Sequence, residues 1–475
     1  MLKTDRNSIL LALLILIQPI LDICSYFAIQ AEATAITSAL RLAIFGVTML
    51  YAFFLSNRKK VYYIFAGAVG VYWIIHMILC ARDGYSLVLD CNGFLRTIQM
   101  PALTLAFITL FQRAEKFPAN MGKCFLGNYI IIGVSIAISL LINKPVYTYW
   151  PDIGIKGWFS SGNSQGCILS ILSMLTLYDA YRKKNNVQFI LSMVLIFALM
   201  FLLGTLVTYY SIFITAISFL VLILWNREKK FVIAGALVLA VVLTVAGYDQ
   251  SPMNKISTIE GESLIEWEDR IEQGTTQPTE KPGDPTEPSA PDQPVYPSYN
   301  LENTPLEPLV DRFGYDRVLE IYGGDIDAME IMDNRLRKVN FGRLVMGEKD
   351  IWTLLFGCEE MDLYHDGSTF DPENDFPALF FYYGIVGFGM YIAFLGYFAW
   401  MLLKAIFKNL KKLDAEKVLL GLSLVLALGT AQLSANVLRR PSVSIFISLM
   451  LAYVYYVCVI QKEQKDETEC HHSGL

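Results

Sequence analysis

Long apolar runs and short polar breaks alternate along most of the chain. Crossing a bilayer as a helix takes about 20 consecutive apolar residues. The runs at 8–29, 34–55, 61–81, 97–112, 124–143, 165–181, 187–203, 205–226, 231–248, 377–403, 417–436 and 442–460 therefore predict twelve spans. The forty-residue stretch 187–226 is divided at Gly204. The alternation fails once, over 249–376, which is polar, acidic and rich in proline. The pattern predicts an all-α polytopic membrane protein with about twelve transmembrane helices. One large external loop would hold a disordered Pro-rich spacer and a small helical cap.

Composition agrees with this reading. The 475 residues are 54% hydrophobic with a mean hydropathy of +0.44, which excludes a soluble globular chain of this size. Lys and Arg in the short loops fix the orientation. With the N-terminus in the cytoplasm, basic residues such as Arg58, Lys59, Lys60, Arg182, Lys183, Lys184, Lys229, Lys230, Lys411 and Lys412 all fall inside. The short external loops hold only Arg82, Arg96, Lys144, Lys156, Arg439 and Arg440. Both termini are expected in the cytoplasm, with the long loop on the outer side of the membrane. The formal charge of −6 conceals a division, because 249–376 carries 29 Asp and Glu against 10 Lys and Arg. The rest of the chain is basic, and no nucleic-acid partner is expected. Ala31-Glu32-Ala33 looks like a signal-peptide cleavage site, but the apolar run before it is long and is interrupted by Asp22, so an uncleaved first helix is expected. The eight cysteines form no C-x-x-C pair and no metal-ligand spacing. Of these, Cys80, Cys91 and Cys358 lie toward the outer face.

The long loop divides in two. Residues 274–308 contain nine prolines and few large apolar residues, a composition that does not fold. After them Ile326, Met329, Met332, Leu336 and Val339 recur at three- and four-residue spacing, predicting one amphipathic helix, and 351–357 predicts a second short one. The expected organisation is an N-terminal bundle of about nine helices (1–248) and a spacer (249–310). A helical cap (311–376), three C-terminal helices (377–460) and a cytoplasmic tail (461–475) follow.

Ionisable residues in or at the mouth of spans are usually functional. Asp22 lies in the first span and Arg41 in the second, while Arg96 opens the fourth. Glu373 and Asp375 open the tenth, with Asp371 two residues earlier. Cations and carboxylates at one depth suit an anionic substrate beside a general base. Arg96 also suits a snorkelling side chain, and Asp22 suits an ion pair with a neighbouring helix. Asp371, Glu373 and Asp375, with His365 and Asp366, form a rival site for Ca2+ or Mg2+, though without EF-hand spacing. Trp150, Trp158, Tyr382 and Tyr383 fit an interfacial aromatic belt, and Trp158 is also placed to stack on a sugar.

Two stretches carry a family resemblance. KGWFSSGNSQGCILSIL (156–172) enters the sixth span through Gly-aromatic-x-x-x-x-Asn, with Trp158 and Asn163 in the pattern. ENDFPALFFYYGIVG (373–387) resembles His-Asn-x-x-Leu…Gly-x-x-Gly. That motif marks the superfamily of O-antigen ligases and Wzy-type polysaccharide polymerases. Glu373 stands where the motif has His and Asn374 stands on its Asn, while Gly384 and Gly387 follow at the motif's spacing. Twelve spans with a large loop after the ninth also fit. The resemblance implies a GT-C-like glycosyltransferase that moves a glycan from a polyprenyl diphosphate to an acceptor hydroxyl. It implies neither nucleotide sugar nor metal, and no cofactor. Glu373 would be the base, oriented by Asp375. Arg41 and Arg96 would hold the diphosphate with one of Arg335, Arg337 and Arg343, which precede Gly357 as a loop Arg does in the family. The implied partners are the lipid-linked glycan, membrane lipid, a glycan acceptor, a polysaccharide flippase and a chain-length regulator. The chain departs from the pattern between the seventh and eighth spans, where Ser-Arg or Thr-Lys is usual and Gly204-Thr205-Leu206 stands here. Polymerisation of repeat units is the leading expectation. A ligase, a flippase without chemistry and a wall-reaching scaffold are the alternatives.

The orientation has a direct test. Lys59→Cys, Lys183→Cys, Lys229→Cys and Lys411→Cys variants should resist an impermeant thiol reagent in intact cells, and Ala290→Cys should react above the native-cysteine background. Labelling at 183 would invert the topology.

Overall fold

A computed structural model describes residues 5–82, 86–114, 116–149, 152–274, 301, 304–324, 326–408, 410–433 and 436–461. Most of the predicted spacer (275–300, 302 and 303), Trp150 and the tail from 462 onward lie outside the described residues. The first nine helices are α1 (Arg6–Gln30), α2 (Thr34–Leu55), α3 (Lys59–Arg82), α4 (Leu87–Arg113), α5 (Phe117–Leu141), α6 (Gly162–Arg182), α7 (Asn186–Leu203), α8 (Leu206–Trp225) and α9 (Phe231–Ala246). Next come α10 (Pro252–Gly274), α11 (Glu307–Phe313), α12 (Tyr315–Ile321), α13 (Ala328–Met332), α14 (Asn334–Glu348) and α15 (Ile351–Phe356). The last three are α16 (Asp375–Phe407), α17 (Ala415–Leu433) and α18 (Pro441–Tyr455). Antiparallel pairs β1 (Tyr147–Tyr149) with β2 (Ile153–Ile155), and β3 (Tyr364–His365) with β4 (Ser368–Thr369), are the only strands among the described residues.

All twelve predicted runs form helices, and the chain is an all-α polytopic membrane protein. Ten of the helices are long and apolar enough to cross a membrane, α18 being continued to Ile460 by a π-helical turn over Tyr456–Ile460, 20 residues in all. Two fall short for different reasons. Helix α9 has 16 residues, about 24 Å at the helical rise. Helix α6 is long enough but carries Ser164, Gln165, Ser170, Ser173, Thr176 and Asp179, all buried. It packs on α5, α7, α8, α17 and α18. Its polar atoms therefore meet protein, and its sequence need not read as lipid-facing. Helices α2 and α3 show the opposite character, exposing Val47, Phe54, Val61 and Ile64. At Gly204 the chain takes φ +69, which ends α7, and Thr205 caps α8 by accepting from the Thr208 amide.

The chain forms two compact units. The transmembrane unit comprises 1–74, 91–255 and 389–475, and the second comprises 75–90 and 256–388. The second unit thus takes in the end of α3, the start of α4 and the first part of α16, which the sequence reading gave to the helical bundles. The region expected to be disordered from 249 onward contains α10. The expected single helix around 326–339 is two, α13 and α14, because the Asp333 side chain accepts from the Arg335 and Leu336 amides and starts a new helix. This local capping outweighs an apolar periodicity that runs on past it. The predicted helix at 351–357 is α15. An aromatic core holds the unit together: Phe341 stacks on Phe370 with centroids 4.1 Å apart and meets Phe313 edge-on at 5.2 Å.

Helix α16 is broken at Gly384, which has φ 58 and ψ −171. The segment after α15 crosses at this break. A Cβ on Gly384 would lie 2.5 Å from the Leu355 carbonyl, and one on Gly357 would lie 2.0 Å from the Tyr382 oxygen. Cys358 N donates to Phe381 O at 2.9 Å. Two glycines therefore let two backbones touch, and the conformation at Gly384 is essentially glycine-only. Gly384→Ala should cost about 2 kcal/mol or more, read as a lower thermal transition in detergent. Gly389→Ala, whose Cβ meets open space, should leave that transition unchanged or raise it.

Candidate active site

In the second unit the acidic stretch is placed by the aromatic core. Phe370 is stacked on Phe341 of α14, and Gly342 lets the Phe381 ring of α16 lie directly on that helix. Arg335 and Lys338, three residues apart on α14, share a face. Both reach Glu373: Lys338 Nζ lies 3.0 Å from Oε1 and Arg335 Nε lies 3.7 Å from Oε2. Glu373 is about one-third exposed. It is therefore an accessible carboxylate with a cation at each oxygen.

The neighbouring acids are differently engaged. Asp371 accepts from the Tyr382 hydroxyl at 2.8 Å. Asp375 is fully buried at the first turn of α16, where the helix N-terminus favours negative charge. Asn374 is half-buried, and its carbonyl accepts from the Ala378 amide. Among the described residues these acids do not converge as a cation cluster; the only such group lies elsewhere, at His76, Cys80 and Asp90. His365, half-buried on β3, lies beside the Phe341 ring.

The three loop arginines separate by environment. Arg335 faces Glu373. Arg337 is partly buried and donates to Pro305 O at 3.0 Å and Asn334 Oδ1 at 2.6 Å. Burial holds its pKa below the usual arginine value. Arg343 is exposed and donates to Asn340 Oδ1 at 3.3 Å. Lys338 escaped the sequence reading, although its i+3 spacing from Arg335 was the available signal.

The remaining candidates belong to the transmembrane unit. Arg41 of α2 pairs with Asp22 of α1 at 2.7 Å, and both are about 15% exposed. This is the helix-to-helix pair that suited Asp22. Arg96 lies exposed on α4, with no acid paired to it among the described residues. The Gly157–Asn163 motif packs on α1 and α5. Trp158 lies 5.4 Å from the Phe27 ring and its amide donates to Ser135 Oγ at 3.3 Å. Gly157, at φ +66, sits where a Cβ would be 2.9 Å from Ile136. Asn163 is half-buried at the start of α6. Next to it is a polar cleft of about 260 Å³, lined by Asp22, Ser161, Ser164, Gln165, Arg440 and Ser442 among others. Arg440, the residue before α18, donates to Ser164 Oγ. It entered the sequence reading only as a loop charge, since nothing in its neighbourhood marks the contact with α6.

A bundle of apolar helices, one of them broken at a glycine, defines a multi-pass membrane protein, and its second unit carries a partly exposed carboxylate flanked by two cations. Residues 4–463 match the family described as O-antigen ligase like membrane protein, and the chain belongs to that family. Membership gives it a ligase- or polymerase-type role in polysaccharide assembly. No curated protein sequence matches the chain.

The environments of the loop arginines predict different losses. Arg337→Ala should lower the thermal transition by removing two bonds of a partly buried cation, about 1–3 kcal/mol. Arg343→Ala should leave it within about 0.5 kcal/mol. Equal losses would erase the distinction.

Proposed function

We propose that the protein is a glycosyltransferase that polymerises lipid-linked repeat units of a surface polysaccharide at the cytoplasmic membrane. The donor is a glycan on a polyprenyl diphosphate and the acceptor is a glycan hydroxyl. The observation that carries this reading is Glu373 between Lys338 and Arg335, on the position of the family motif. Glu373 takes the proton of the acceptor hydroxyl as its oxygen attacks the anomeric carbon. The bond from that carbon to the diphosphate oxygen breaks, and the electron pair leaves on the diphosphate. Cations stabilise that growing charge. Arg335 and Lys338 suit the role because the incoming diphosphate can take over their bonds, leaving Glu373 oxygens open to the hydroxyl. In the transmembrane unit Arg41, Arg96 and Arg440 are basic groups suited to an anionic donor, with Trp158 and Asn163 as further contacts; in the second unit Asn374 adjoins Glu373. Asp375 acts as an orienting group. No step requires a metal. A ligase would use the same chemistry on a different acceptor.

The test is transfer from a purified lipid-linked donor by detergent-solubilised protein. Glu373→Gln should lower turnover by about two to four orders of magnitude, the usual worth of a general base, with normal insertion. Asp375→Asn should cost less, and Asp371→Asn should be tolerated. Near-normal transfer by Glu373→Gln removes the base assignment. A ladder of products marks a polymerase, whereas a single addition to a foreign acceptor marks a ligase.

A further inference from the structure

A second polar cluster lies in the second unit and shares no residue with the proposed base and its cations. His76 and Cys80 are one turn apart on α3, and Asp90 opens α4. His76 is fully buried, and Cys80 and Asp90 are nearly so. Their ligating atoms all lie within 4.8 Å of one another. His76 Nδ1 lies 2.8 Å from the Phe356 carbonyl oxygen, His76 Nε2 is 2.7 Å from Asp90 Oδ1, and Cys80 Sγ is 3.5 Å from the same Nε2.

These contacts fix the chemistry. A carbonyl oxygen only accepts, so Nδ1 carries the ring proton. In a neutral ring Nε2 then presents a lone pair, aimed at a carboxylate oxygen and a sulfur. Nε2 and a carboxylate oxygen 2.7 Å apart need a positive charge between them, either a proton on Nε2, which makes the pair a salt bridge, or a metal ion. The other Asp90 oxygen is buried with no hydrogen-bond partner among the described residues. Buried carboxylates without a counter-charge are costly.

We propose that His76, Cys80 and Asp90 form a structural site for a zinc-class divalent cation. One nitrogen, one sulfur and one carboxylate, with a water in the fourth position, suit a borderline ion in tetrahedral geometry. Tetrahedral zinc separates nitrogen and sulfur ligands by about 3.5 Å, the Cys80–His76 spacing seen here. The His76–Asp90 pair opens by about half an ångström to reach tetrahedral spacing. The Nδ1–H donated to a backbone carbonyl is the usual support that orients a metal-bound histidine. On binding, the Cys80 thiol gives up its proton and the ion takes the sulfur. The same carbonyl belongs to Phe356, directly before the Gly357 that abuts Gly384. The cation would therefore clamp the ends of α3 and α4 to the segment that breaks α16.

The experiment uses the full chain in detergent, purified on a tag without histidines. Wild type should retain about one zinc ion per chain after exchange into metal-free buffer, measured by elemental mass spectrometry. Cobalt(II) loaded in its place should give the intense near-ultraviolet band of a thiolate ligand. Cys80→Ser should abolish that band, and His76→Gln should cut retained zinc at least about tenfold. Wild-type protein that keeps no transition metal and gives no cobalt band overturns the site without reference to any variant. A Cys80–Cys358 disulfide found by peptide mapping does the same, as does a cobalt band that survives in Cys80→Ser.

Discussion

The close contact between Gly357 and Gly384 is the constraint on which the second unit depends. Helix α16 enters as part of that unit and continues after 389 in the transmembrane unit. Its break lies within the second unit, at Gly384, whose φ and ψ are essentially glycine-only. The break exists because the Leu355–Cys358 backbone occupies the space a regular helix with side chains would fill. In return that segment gains the Phe381 carbonyl as an acceptor, so a crossing without side chains still satisfies its polar groups. The two glycines of the sequence pattern thus do conformational work beside the carboxylate motif, and Glu373 is held eleven residues before the break by the Phe370–Phe341 stack.

How much of this was legible in the sequence depends on the kind of signal. Every long apolar run became a helix, because lipid demands that backbone polar groups be satisfied within the segment. The split at Gly204 and an ion pair for Asp22 followed from local chemistry, a residue that ends helices and a charge too costly to leave alone in a span, whereas Arg41, assigned to the diphosphate, was not foreseen as its partner. The long loop was harder. Helices α11 to α15 have 5 to 15 residues, too short to be stable alone. They are held by rings far apart in sequence, Phe313, Phe341 and Phe370. Of the site, Glu373 was visible as a motif position. Lys338 and Arg440 were not, because each acquires its meaning from a partner 35 or 276 residues away.

The hydropathy of the bundle makes the same point from the other side. Central helices α6 and α18 are nearly enclosed by protein. There Ser173 bonds Thr215 at 2.9 Å, and Ser448 donates to the Met100 carbonyl at 2.9 Å. Small hydroxyl residues permit close helix approach and supply bonds that lipid cannot. The peripheral α2 and α3 are apolar around most of their surface because lipid is their neighbour. A span counted by hydropathy alone is therefore undervalued where it matters most to the packing, as α6 is.

Charge in the second unit follows an economy of partners. A carboxylate at a membrane-facing site must stay open to a hydroxyl, yet without a cation it gains nothing from being held in place. Lys338 and Arg335 answer both needs in the proposed reaction. They balance Glu373 before substrate arrives, and the diphosphate draws the same cations as charge builds on it. Arg337 cannot share that duty, since its guanidinium is committed to Pro305 and Asn334. No base follows Gly204 because Thr205 is occupied in capping α8 and the next residue is leucine. Basic groups from elsewhere in the transmembrane unit are engaged with α6 and α1 instead: Arg440 bonded to Ser164, and Arg41 turned toward Asp22. Within each unit, then, a cation is already matched to an acid or hydroxyl: Arg335 and Lys338 to Glu373, Arg41 to Asp22, and Arg440 to Ser164.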